Sequence, residues 1–225
     1  MIKTVVFDIG GVLVDWNPRY IYRTICDDER EIEHFLTNVC TFDWNHSLDL
    51  GRPWEEAKAE LVAKFPEKED WIELYRTKWI DMFAGPIHES VDILMEIKRK
   101  GFPLYALSNW GSQEGFDLVR KEICPFFGLF DGVILSGVEK IAKPDPAIYK
   151  LLLDRFNLNP RETVFIDDRL DNVQAARNLG IEAIHFTTPS DLESHLVTNG
   201  IFAGDEEDNE EEFQGCGGGC TCHPR

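Results

Sequence analysis

The sequence predicts an α/β protein: a three-layer parallel-sheet core with a small helical cap inserted after the first strand. Two observations carry that expectation. Short β-branched runs alternate with helix-length amphipathic segments through the second half of the chain, and an early stretch, residues 17–84, shows helical apolar spacing throughout. Residues 4–7, Thr-Val-Val-Phe, suit a buried parallel strand. In the insert, apolar residues recur at Tyr20, Ile21 and Ile25, at Ile32, Phe35, Leu36 and Val39, at Trp54, Ala57, Leu61 and Val62, and at Trp71, Leu74, Tyr75 and Ile80. Pro18 and Pro53 stand where first helical turns begin, and no strand is expected within the insert.

From about residue 87 the alternation resumes. Helices are expected over 88–100, 113–122, 147–156, 171–179 and 191–198, with strands over 104–107, 132–135, 163–166 and 183–186. Gly101 and Gly180 stop two of the helices, and Asn159-Pro160 makes a turn. Strands joined by helices of this length form right-handed βαβ units, hence a Rossmann-like sheet covered on both faces. The expected organisation is a core of residues 1–16 and 85–203, a cap over 17–84 and a tail over 204–225.

The 225 residues are 43% hydrophobic, enough for one large domain with an insertion. No apolar run approaches the ~20 residues that cross a bilayer. A carboxylate at position 8 comes too soon for a signal peptide, so a soluble, cytoplasmic protein with no membrane partner is expected. Net charge is −18; removing the seven acids and one base of residues 204–225 leaves 34 acids and 22 bases, net −12. Such a surface repels a phosphate backbone and argues against nucleic-acid binding. A small anionic substrate stays compatible if a metal or a lysine reverses the sign locally. Cys26, Cys40 and Cys124 are scattered as reduced thiols usually are. The tail's acid block reads as disordered. Its Cys216, Cys220, Cys222 and His223 match no defensible zinc spacing, and a tail without a dedicated ligand is the expectation.

In parallel α/β sheets the site lies beyond the carboxyl ends of the strands. The first strand is followed by Asp8-Ile9-Gly10-Gly11, the second by Ser108-Asn109-Trp110, and the fourth by Asp167-Asp168-Arg169-Leu170-Asp171-Asn172; Lys143-Pro144 follows the third. Carboxylates beside a glycine turn are hard oxygen ligands suited to Mg²⁺. Ser, Asn and Lys supply donors and positive charge for a phosphoryl group. A carboxylate between metal and donors can attack phosphorus.

This ordered set resembles the four motifs of the haloacid dehalogenase-like superfamily, over roughly residues 2–200 and including the cap after the first motif. The resemblance implies that Asp8 is the nucleophile, that Ser108, Asn109 and Lys143 hold phosphate, and that Asp8, the Gly10 carbonyl and Asp168 bind Mg²⁺, with Asp167 in or near the coordination shell. It implies a phosphomonoester hydrolase acting on a small phosphorylated metabolite. The pattern looks most like the bacterial α-glucose-1-phosphate phosphatase-like branch.

One position departs from the family pattern. Most phosphatases of the superfamily carry a second Asp two residues after the nucleophile to move protons, and here that residue is Gly10. Another group must take over, from the cap for example, or the leaving group must depart with little help, as an anomeric phosphate does. His46, Asp43 and Arg52, in the polar and aromatic segment 42–54 between two helices, are the cap candidates; packing of Trp44 and Trp54 is the simpler account of that segment. Asp15 reads as structural, and Asp171 and Asn172 either orient the metal site or cap a helix. His34, His88, His185 and His195 stand alone without ligand spacing. Two alternatives stay open: a 2-haloacid dehalogenase, against which the paired Asp167-Asp168 counts, and a weakly catalytic binding or regulatory protein.

Overall fold

The computed structural model describes residues 1–202; the tail 204–225, with its predicted disorder and its cysteine cluster, lies outside the described residues. The chain opens with β1 (Thr4–Phe7) and a short β2 (Val14–Trp16). Five helices follow: α1 (Arg19–Tyr22), α2 (Glu29–Asn38), α3 (Phe42–Asp49), α4 (Trp54–Lys64) and α5 (Glu69–Thr77). After β3 (Phe83–Pro86) come α6 (His88–Arg99), β4 (Leu104–Ser108), α7 (Gln113–Glu122), β5 (Gly132–Leu135) and the short α8 (Ser136–Glu139). The chain continues through α9 (Pro146–Phe156), β6 (Thr163–Asp167), α10 (Leu170–Arg177), β7 (Glu182–His185) and α11 (Pro189–Thr198).

The main sheet has the order β5-β4-β1-β6-β7 with every pairing parallel, so β1 is central and Asp8 leaves the middle of the sheet. Alternate residues of each strand face opposite layers. Val5 and Phe7 pack with Leu94 and Ile97 of α6, Val119 of α7 and Leu192 of α11. Val6 packs with Ile148 and Leu152 of α9 and Val173 of α10. The helices α1 to α5 enclose a separate core, with Tyr22, Phe35, Trp44, Leu61, Ile72 and Tyr75 buried in it.

Two local expectations are corrected. The insert's neck carries an antiparallel pair, β2 with β3, in which Val14 faces Pro86 and Trp16 faces Phe83. Strands of three and four residues with Gly85 and Pro86 in one of them carry no periodic signal, and the pairing forms because both ends of the insert return to one place. Residues 42–49 form a helix rather than a connecting segment: the Thr41 side chain accepts the Trp44 N–H at 3.1 Å and starts it. Trp44 and Trp54 do pack in the cap core, 5.9 Å apart edge to face.

Cap and core meet across a seam where backbone lies on backbone. Across the seam, a Cβ at Gly111 would meet the Leu48 carbonyl oxygen at 2.9 Å, and behind it, within the core, one at Gly137 would run into the Gly111 carbonyl oxygen. Only residues without side chains let the end of α3 settle against α8 and the loop after β4. Beside the seam, Trp110 packs against Trp79 at 5.9 Å and Phe83 at 5.6 Å.

Candidate active site

The cluster starts from Asp8, one residue past β1 and 7% exposed. Its Oδ1 accepts the Ile9 N–H at 2.7 Å and lies 2.8 Å from Lys143 Nζ. The same ammonium donates to Asp167 Oδ2 at 2.7 Å. Lys143 is 1% exposed and Asp167 fully buried, so each charge depends on the others for solvation. Burial pushes the Asp8 carboxyl above the ordinary carboxylate range, against the pull of Lys143. Burial works against the Lys143 ammonium too, but Asp167 and Asp8 outweigh it and hold the lysine charged.

Asp167 is saturated. Its Oδ1 accepts the Arg169 N–H and Asn172 Nδ2, both at 2.9 Å, and its Oδ2 accepts Lys143 and, at 3.1 Å, Asn172 Nδ2. Asn172 therefore orients the cluster, and its carbonyl is held by the Tyr149 hydroxyl at 3.0 Å. Asp171 instead pairs with Arg169 at the surface.

One oxygen each from Asp8, Asp167 and Asp168 lies within 4.8 Å of the others. Burial raises Asp168 too, with the Asp167 charge adding to the rise. With all three ionised, three carboxylates against one ammonium leave the cluster two negative charges in excess, and the raised Asp8 and Asp168 carboxyls reflect burial together with that crowding. An all-oxygen donor set of that charge fits a hard divalent cation such as Mg²⁺. Gly10 lines the same cavity. At Gly11, φ is +74° and a Cβ would meet Asp168 Oδ2 at 2.5 Å, so a glycine is required for the turn to pass beneath that carboxylate.

The other predicted residues arrive on neighbouring elements. Ser108 ends β4 and faces the cavity. The Asn109 side chain accepts the Lys143 N–H at 2.9 Å and donates to the Lys143 carbonyl at 3.0 Å, which ties the β4 loop to the lysine's own backbone. All seven predicted residues thus gather at the carboxyl edge of the sheet. The lone histidines include one with a nearby contact: His185 Nε2 lies 3.0 Å from the Asp168 carbonyl.

The cap closes this floor into a cavity of about 500 Å³. Its upper wall mixes aromatic side chains, Trp16, Phe42, Tyr75, Trp79 and Phe83, with polar ones, among them Arg19, Glu33, Thr37, Thr41 and Asn45. Phe42 reaches the core at the rim, where the Arg169 guanidinium lies 4.5 Å from the ring centre. Of the three cap candidates, His46 lines the cavity, whereas Arg52 pairs with Glu60 at 2.7 Å on the surface and Asp43 is exposed away from it. Asp15 accepts the Tyr20 hydroxyl at 2.7 Å, a structural bond at the cap's root. Asp49, which sequence reasoning did not single out, lines the cavity from the end of α3. Nothing in its sequence neighbourhood marks it, since the helix that carries it was itself hidden.

A parallel α/β core, a helical cap over the carboxyl ends of its strands and a lysine buried among carboxylates together define a capped hydrolase. The model of the haloacid dehalogenase-like hydrolase family matches residues 2–180, and the chain belongs to that family. It is 28% identical to the sesquiterpene phosphatase astK of Aspergillus oryzae, over 82% of this chain and 90% of that protein. It is 26% identical to a phosphorylated carbohydrates phosphatase of Thermotoga maritima, over 81% and 84% of the two chains. Among solved structures, a family enzyme of Bacteroides thetaiotaomicron in a magnesium complex superposes with a TM-score of 0.64 at 25% identity, covering 87% of this chain and 98% of that one.

Proposed function

We propose that the protein is a Mg²⁺-dependent phosphomonoester hydrolase that works through an aspartyl-phosphate at Asp8. The observation that carries this reading is the Lys143 ammonium held between Asp8 and Asp167 on the cavity floor. It keeps a buried carboxylate available as a nucleophile and offsets its repulsion of an anionic substrate. Asp8 Oδ1 is occupied by Ile9 and Lys143, which leaves Oδ2 to attack phosphorus. Ser108 and Lys143 hold the phosphoryl oxygens. Asn109 acts through Lys143 by fixing its backbone, and Asp167 acts likewise by fixing its ammonium. Asp8, the Gly10 carbonyl and Asp168 would hold Mg²⁺, with saturated Asp167 just outside. When bound there, the ion would withdraw charge from the transferring phosphoryl group. The dehalogenase alternative needs no cation and leaves the excess negative charge of the cluster without a purpose.

For substrate we infer a small phosphorylated metabolite, with a sugar phosphate as the first class. The similarity to a phosphorylated carbohydrates phosphatase supports it. A second class is suggested by the aromatic side chains of the upper wall, which add apolar surface beside its polar groups; the similarity to a sesquiterpene phosphatase supports it. Phosphate release from a panel of sugar phosphates and prenyl monophosphates, with Mg²⁺ and with EDTA, tests both. The reading predicts release that needs Mg²⁺ and disappears in Asp8→Asn. Release untouched by EDTA or by that substitution would refute it.

A further inference from the structure

Gly10 has no side chain to move a proton, and a Cβ built there meets nothing within 4 Å. The space beside the nucleophile is open, and a group from another element can serve it. Asp49 lines the cavity together with Asp8 and is set from both sides of the seam. On the cap side, Asn45 Nδ2 donates to Asp49 Oδ2 at 3.1 Å. The Tyr75 hydroxyl donates to Asn45 Oδ1 at 2.8 Å and so fixes which end of the amide meets the carboxyl. On the core side, the buried Ser136 hydroxyl accepts the Trp110 N–H at 2.9 Å and donates to the Asp49 carbonyl. A carboxyl held this firmly through its backbone, and oriented by a neutral amide rather than a cation, is placed for chemistry more than for stability.

We propose that Asp49 is the general acid and base of the reaction, standing on the cap in place of the side chain that Gly10 lacks; this rests on the phosphatase reading above. Burial pushes its carboxyl up to about 7, with the Asp8 charge adding to the rise and Lys143 opposing it. A group near neutrality can both give and take a proton. In the first step an Asp8 oxygen bonds to phosphorus and the ester P–O bond breaks. The departing oxygen takes the Asp49 proton and leaves as an alcohol. In the second step water adds to phosphorus and gives a proton back to Asp49. The Asp8–phosphorus bond breaks, releasing inorganic phosphate and the free carboxylate.

The test compares two esters, an alkyl phosphate and p-nitrophenyl phosphate, whose leaving group departs without a proton. The variants are Asp49→Asn, Asp8→Asn, and Asp49→Asn combined with Gly10→Asp. Asp49→Asn is expected to lower alkyl phosphate turnover by about 10²–10⁴-fold. With the aryl ester it is expected to give a burst near one equivalent of nitrophenolate, because the second step then lacks its base. Adding Gly10→Asp, whose side chain enters open space, is expected to recover part of the alkyl activity. Equal melting temperatures and circular dichroism spectra check that the variants are folded. Alkyl turnover in folded Asp49→Asn within a few fold of the parent, with no burst, would overturn the proposal and leave the phosphatase reading intact. Absence of Asp8-dependent release from either ester in the parent would overturn both.

Discussion

Lys143 is the residue on which the site's charge balance depends. Its ammonium is the one cation touching both Asp8 and Asp167 among the described residues; Asp167 is fully buried and Asp8 nearly so. Removing one partner of a buried ion pair leaves an uncompensated charge, which typically costs about 3–5 kcal/mol. Lys143→Met is therefore expected to lower unfolding stability by about that amount, read from urea denaturation, and to abolish phosphate release. A loss below about 1 kcal/mol would mean that the carboxylates are solvated in another way. At this scale most of the site was legible in the sequence. Asp8, Ser108, Asn109, Lys143, Asp167 and Asp168 each end a strand or lie in the loop beyond it, and parallel-sheet geometry places such positions on one edge. What was not legible is the division of labour. That Asn109 grips the Lys143 backbone, or that Asn172 saturates Asp167, depends on side-chain directions that no spacing reveals.

At the scale of elements, the glycine seam fixes where α3 ends. Gly137→Ala drives a methyl group into the Gly111 carbonyl oxygen, so the loop after β4 must shift, and with it Gly111, on which the Leu48 carbonyl of α3 rests. Displacement of a catalytic group by about 1 Å can cost about 10²-fold. A fall of that order in kcat/KM for alkyl phosphates, with an unchanged circular dichroism spectrum, is the expected outcome; full activity would show that the seam has slack. A second junction ties α6 to β4. Asp131 accepts Lys98 at 2.8 Å and the Leu104 N–H at 2.8 Å. The Lys98 hydrogen bond holds its carboxyl below the usual carboxylate range, with the Leu104 bond helping. A depressed carboxyl stabilises the fold above its unfolded pKa, about 3.9, and the benefit fades as pH falls through the lower folded value. The stability gap between the parent and Asp131→Asn should therefore be constant from pH 7 to about pH 5 and close below about pH 4. A gap that widens with acid would contradict the assignment. The elements that escaped sequence reading, β2, β3, α3 and the short α8, are the ones whose local pattern is weakest. The strand pair is created by the return of the insert to its starting point, and α3 is polar enough to pass for a connection.

At the scale of the molecule, a chain of net charge −18 receives an anionic substrate into a cluster that itself carries excess negative charge. The balance requires a cation from solution, and binding to the native state alone raises stability in proportion to the logarithm of its concentration. Millimolar Mg²⁺ is expected to raise the melting temperature of the parent and to leave that of Asp168→Asn nearly unchanged; equal shifts in the two would place the cation elsewhere. The cap completes the enclosure. Its separate apolar core lets it pack as a unit, while Trp79 and Phe83 at its neck share the aromatic cluster around Trp110 with the main sheet. No helix among the described residues is long and apolar enough to cross a membrane.

In the proposed mechanism the phosphoryl group passes through Asp8. The most direct measurement is mass spectrometry of the acid-quenched protein during turnover of its best substrate with Mg²⁺, followed by peptide mapping. A phosphoryl group is expected on the peptide that holds Asp8, absent in Asp8→Asn and, with p-nitrophenyl phosphate as donor, accumulating further in Asp49→Asn. Active turnover with no phosphorylated protein in either the parent or Asp49→Asn, or a phosphoryl group on any other residue, would contradict it.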